Sequence, residues 1–100
     1  MRINFTFRNV PSSDGVKDYA SDKISKLQKY LRAPLDCEVT LSKERHLHMV
    51  DVHLTADGKR FDGHDESEDM YASIDLCLDK LDRQVRNSKS AESGKKRHPH

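Results

Sequence analysis

Residues 65–89 read DESEDMYASIDLCLDKLDRQVRNSK, and this stretch decides how the rest of the chain must be arranged. Met70, Ile74, Cys77, Leu78, Leu81 and Val85 recur at three- and four-residue intervals, which puts them on one face of a helix. Glu66, Glu68 and Asp69 suit the positive start of such a helix, and Lys80, Arg83 and Arg86 suit its negative end. Asp65 or Ser67 is the expected N-cap. Asp79 with Arg83 and Asp82 with Arg86 are i,i+4 pairs in the favourable direction. A helix with one apolar stripe must bury it, so the preceding residues have to supply a surface.

Alternation upstream predicts that surface to be a sheet. Asp57-Gly58 is a strong hairpin signal. Before it, Val50, Val52, Leu54 and Ala56 alternate with Asp51, His53 and Thr55; after it, Arg60 to His64 form a short strand with Phe61 inward. Cys37, Val39 and Leu41 alternate with Glu38, Thr40 and Ser42, so Lys43 to Met49 must turn the chain. Ile3, Phe5 and Phe7 mark a first strand over Arg2 to Arg8, broken by Pro11. Between the first two strands, Val16, Ala20, Ile24, Leu27 and Leu31 predict a helix from Asp14 to Arg32. Ser12, Ser13 or Asp14 caps it, and Pro34 ends it.

The order β-α-β-β-β-α predicts an α+β fold, a four-stranded sheet with two helices packed on one face. A right-handed crossover sets the second strand parallel to the first. The other sheet face, with Thr6, Thr40, Thr55, His53 and Asp62, stays wet. From Ser88 onward the apolar periodicity is lost. One domain over residues 1–89 is expected, followed by a disordered basic tail over 90–100.

Composition narrows the class. Hydrophobic residues are 34% and charged residues 35%, so a core is possible only because the apolar positions are strictly patterned. No apolar run approaches a membrane span, and the alternating N-terminus is unlike a signal peptide. A cytoplasmic protein without a membrane partner is expected. Cys37 and Cys77 both fall in apolar patterns, which favours buried, reduced thiols. The formal net charge of +1 conceals segregation. Residues 57–79 carry eight acids against two bases, residues 80–100 seven bases against two acids, and residues 17–32 five bases against two acids. An anionic partner is therefore compatible with a near-neutral total.

No phosphate-binding loop or dinucleotide fingerprint is present, and nothing marks a nucleophile, so an enzyme is not expected, nor a cofactor. His46 and His48, with His53 and His64, lack a third fixed partner for a metal, and solvated histidines are the plainer reading. Phosphate contact needs cations held along a track. Lys23, Lys26 and Tyr30 offer one on the first helix; Lys80 and Arg83, extended by Arg86 and Lys89, offer one on the second. The same residues have plainer roles as solvating charges, helix-end charges and core-flanking rings. These features leave RNA binding and a protein-interaction module both open, and the acidic 57–79 block points to protein partners or to repulsion of RNA from that side.

Glu68-Asp69-Met70-Tyr71-Ala72-Ser73-Ile74-Asp75, followed by Asp79-Lys80-Leu81-Asp82-Arg83-Gln84, resembles the ribosome hibernation promoting factor family, which includes the ribosome-associated inhibitor and was earlier named for modulating sigma-54. Lys23-Ile24-Ser25-Lys26-Leu27 with Tyr30, Leu41-Ser42-Lys43-Glu44 and the element order extend the resemblance over about residues 1–89. It implies that residues 1–89 are a ribosome-binding domain. The expected partner is the rRNA of the small ribosomal subunit at the decoding region, where binding blocks mRNA and tRNA in stress or stationary phase. Lys23, Lys26, Lys80, Arg83 and Lys89 match the family's basic positions; Asn87 stands where close relatives have another lysine, with Arg86 beside it. The length and the short basic tail resemble the short subtype, which implies a small ribosome-modulation partner factor and a monomer off the ribosome. The competing expectation is a protein-interaction regulator, such as a transcription-factor modulator, that ignores ribosomes.

Overall fold

The computed structural model describes the backbone of residues 1–97 and the side chains of residues 1–88. The elements are β1 (Arg2–Arg8), α1 (Asp14–Ser25), a 3₁₀ segment (Lys26–Tyr30), β2 (Asp36–Glu44), β3 (Leu47–Ala56), β4 (Lys59–Ser67) and α2 (Met70–Arg97). The sheet order is β1-β2-β3-β4; β1 pairs parallel with β2, and the other two pairings are antiparallel. This is the expected α+β fold.

The Asp57-Gly58 turn sets the register. Both residues have positive φ, 55° and 72°, the pattern of a type I′ hairpin, and Ala56 pairs with Lys59. Asp57 has a second task. Its carboxylate accepts hydrogen bonds from the backbone N–H of Arg32 (2.9 Å) and of Ala33 (2.8 Å), tying the α1–β2 connection to the hairpin.

Two boundaries differ from the periodicity. The predicted helix to Arg32 is α-helical only to Ser25 and then tightens to 3₁₀. Ser25 Oγ donates back to the Asp22 carbonyl, and Gln28 uses its side chain on the loop, donating to Ala33 O and accepting from Leu35 N. The last helix begins at Met70 rather than Asp65, because residues 65–67 complete the β3–β4 ladder opposite Val50, Met49 and His48. Its cap is therefore Asp69, whose carboxylate accepts from Ala72 N, in place of the expected Asp65 or Ser67. The cap of α1 is Ser13, which accepts from Val16 N. The backbone of α2 runs to Arg97, past residue 89 where the domain was expected to end; the side chains from residue 89 on, and residues 98–100 altogether, lie outside the described residues.

The core lies between the helices and one sheet face. Ile24, Leu27, Val39, Leu41, Val50, Val52, Leu54, Ile74, Leu81 and Val85 are almost wholly buried. α2 lies close on β4, and Gly63 permits it: a Cβ there would stand 3.1 Å from both Cys77 Sγ and Leu81 Cγ. Cys37 and Cys77 are free, buried thiols whose pKa values desolvation pushes up to about 12, so neither is a nucleophile at neutral pH.

Candidate nucleic-acid interface

The helix layer brings α1 and α2 side by side, but it arranges their charges differently from two parallel cationic tracks. At 100° per residue, Asp75, Asp79 and Asp82 occupy one flank of α2, within about 60° of one another. That flank faces α1. Lys23 Nζ lies 3.0 Å from Asp75 Oδ1, and Tyr19 donates its hydroxyl proton to the same oxygen at 2.6 Å. Tyr71 meets Tyr19 edge-to-face at 5.0 Å. Further along, Lys23, Lys26 and Leu27 face Leu78, Asp79 and Asp82 across a cleft of about 110 Å³. The interhelix groove is thus lined by opposed charges.

The electrostatics follow from those contacts. The hydroxyl of Tyr19 and the ammonium of Lys23 hold the Asp75 carboxyl below its usual range. In return, the hydrogen bond to Asp75 raises the pKa of both Lys23 and Tyr19. Lys26, which opens the 3₁₀ segment, is more exposed; the nearest carboxylate, Asp22 in the last turn of α1, is 3.8 Å away. Tyr30 ends the 3₁₀ segment partly buried against the core, with Lys29 Nζ 5.2 Å from its ring centre.

Lys80 is on the other side of α2, about 140° around the helix from Asp75. It points to β4, where Nζ is 3.0 Å from both carboxylate oxygens of Asp65. Asp65 belongs to the inner sheet face and its side chain is only 15% exposed. Arg86 returns to the α1-facing flank and pairs with Asp82 at 2.8 Å. The expected Asp79–Arg83 pair is not formed: among the described residues Arg83 has no ion-pair or hydrogen-bond partner and is exposed on the outer face of the helix. The Lys89 side chain lies outside the described residues. Of the seven sequence-predicted residues, the fold brings Lys23, Lys26 and Arg86 around the groove and sets Lys80 and Arg83 away from it.

The wet sheet face holds cross-strand pairs that periodicity did not flag. His53 bonds Asp62, with Arg60 Nε 3.0 Å from the same carboxylate, and His64 Nδ1 meets Asp51 at 2.7 Å. The His53 and Arg60 contacts hold Asp62 below its usual pKa. The signal was available, since a two-residue turn at Asp57-Gly58 puts 53 opposite 62 and 51 opposite 64. No group of three His, Cys, Asp or Glu residues able to hold a metal occurs among the described residues. No described helix is long and apolar enough to cross a membrane.

A helix pair on one face of a four-stranded sheet in the order β-α-β-β-β-α, with ion pairs and open cations on its surface, defines a small α+β domain. The chain belongs to the Sigma 54 modulation protein / S30EA ribosomal protein family, whose model matches residues 3–92. It is 33% identical over 89 residues to the ribosome hibernation promoting factor of Salmonella typhimurium, covering 89% of this chain and 94% of that one. The factor of the same name from Azotobacter vinelandii is 33% identical over 85 residues, covering 85% and 79%. Among solved structures, the N-terminal domain of Thermus thermophilus Protein Y superposes with a TM-score of 0.81 at 27% identity, covering 87% of this chain and 98% of that one.

Proposed function

We propose that this protein is a ribosome hibernation factor that binds small-subunit rRNA at the decoding region and so keeps mRNA and tRNA out. The observation that carries the reading is membership of the family over residues 3–92, with relatives named ribosome hibernation promoting factor matched along most of both chains. The surface supports it. Arg83 and Lys26 are exposed cations on adjacent helices, and Lys80 lies beside Arg83 on α2. Occupying a polyanionic channel needs sterics and charge but no bond-making step, which fits a chain without a nucleophile or cofactor motif. The cytoplasm is where such a partner is met.

A second reading, a protein-interaction regulator, draws on the acidic 57–79 segment and on the first half of the family description. Sedimentation separates the two. Purified protein mixed with ribosomal subunits is expected to travel with the small subunit on a sucrose gradient. The double variant Arg83→Glu, Lys26→Glu should stay at the top with its melting temperature unchanged. A wild-type protein that remains in the light fractions sinks the ribosomal reading and leaves the regulator.

A further inference from the structure

Lys23 and Lys26 face carboxylates across the interhelix groove, and that arrangement has a functional cost. A phosphate approaching Lys23 meets a cation already held by Asp75 at 3.0 Å, with Asp79 and Asp82 next along the same flank. Asp79 makes no hydrogen bond or ion pair among the described residues and is exposed, so it contributes field without contributing a bond. It still acts on the groove: its charge adds to the rise in pKa of both Tyr19 and Lys23. A carboxylate on a surface that binds a polyanion weakens binding wherever it stays near a phosphate, and does so for every polyanion that fits loosely.

We propose that the Asp75–Asp79–Asp82 flank of α2 determines specificity: it screens Lys23 and Lys26 from generic nucleic acid. The proposal rests on the RNA-binding reading above. Loose single-stranded RNA, which finds only scattered contacts, cannot displace Asp75 from Lys23 and meets a groove of cancelling charge. A shaped rRNA site that fixes the whole helix pair supplies several contacts at once, including Arg83 outside the groove, and offsets the repulsion. The flank therefore widens the gap between specific and non-specific binding, which an abundant cytoplasmic pool of tRNA and mRNA makes necessary.

The test compares wild type with Asp79→Asn and, separately, Asp75→Asn in the full chain. Binding to a uridine homopolymer of about 20 nucleotides and to purified small subunits is measured at two salt concentrations. Each variant is expected to bind the homopolymer about two- to fivefold more tightly, as removal of one exposed charge interaction allows, and to hold small subunits with affinity altered less than that. The selectivity ratio falls in both. Homopolymer affinities within error of wild type for both variants overturn the proposal, as does an equal gain for homopolymer and subunit. Asp79→Asn removes no hydrogen bond among the described residues, so its result is independent of folding; circular dichroism checks Asp75→Asn. If wild type fails to bind subunits, the ribosomal reading falls, while the homopolymer comparison still reports whether the flank screens the lysines.

Discussion

Two neighbouring cations on α2, Lys80 and Arg83, look equivalent in the sequence and are not equivalent in the fold. Lys80 completes Asp65, a carboxylate that the β4 register forces onto the inner sheet face, with 15% of its side chain exposed. Arg83 completes nothing among the described residues. The difference is energetic. Removing the partner of a mostly buried acceptor leaves its desolvation uncompensated, a loss of about 1–3 kcal/mol; reversing the charge adds repulsion. Lys80→Glu is therefore expected to lower the unfolding free energy by that amount, read as a lower urea midpoint, whereas Arg83→Glu stays within about 0.5 kcal/mol of wild type. Equal midpoints for the two variants would show that Asp65 does not depend on Lys80. The consequence for function is practical: loss of ribosome binding in a Lys80 variant confounds contact with folding, and the same loss in an Arg83 variant does not. None of this was legible in the sequence, where Asp65 reads as the acidic start of a helix and Lys80 as its basic end. Only the length of the β3–β4 ladder moves Asp65 into a strand.

The helix pair is the element whose cohesion has a pH signature. Tyr19, Lys23 and Asp75 form one clasp between α1 and α2. Asp75 has a lowered folded pKa, so its contribution is complete above the ordinary aspartate value of 3.8 and is lost as pH falls through the lower folded value. Lys23 and Tyr19 have raised folded values, so their contributions are complete below 10.5 and 10.0 respectively and are lost as pH rises through the higher folded ones. The clasp is thus whole across the neutral range and opens at both extremes. Because its three members are only half-buried, solvent screens the clasp and its worth is modest. Asp75→Asn should remove that increment near pH 7 and flatten the acid limb of stability below the aspartate range, measured by urea unfolding at stepped pH. An acid limb identical to that of wild type would mean that other carboxylates carry it. At this scale the sequence was a fair guide to which elements exist and a poor guide to where they end. The apolar stripes of α1 and α2 are local patterns and identified both helices. The 3₁₀ break after Ser25 depends on Gln28 reaching Ala33 and Leu35, and the facing of Asp75 toward Lys23 depends on how α2 docks; neither is encoded in a helical repeat.

For the molecule as a whole, the fold separates its charges into a screened groove, an open outer face of α2 and a sheet face of cross-strand pairs. Binding to a polyanion draws on these unequally. Each cation that neutralises a phosphate releases counterions and adds about −0.7 to −0.9 to the slope of log K against log salt. Lys23 already neutralises Asp75 and Arg86 already neutralises Asp82, so a phosphate at either must break an existing pair before it counts. Arg83 is unpaired among the described residues, and the pair Lys26 makes is longer, 3.8 Å to Asp22, and so opens more readily than those of Lys23 and Arg86. The slope for small-subunit binding should therefore respond most to these two. Arg83→Ala and Lys26→Ala are each expected to make it shallower by nearly one unit, and Arg86→Ala by clearly less. Titration of labelled protein with small subunits at four or five potassium concentrations gives the slopes directly. Equal changes from Arg83, Lys26 and Arg86 would mean that the intramolecular pairs open freely on the ribosome, and that the groove behaves as a plain cationic track. The ordering Arg83 and Lys26 ahead of Arg86 follows only if the pairs seen in the free protein persist up to the encounter with RNA, which makes the salt slope a reading of the fold's own charge bookkeeping and not only of its affinity.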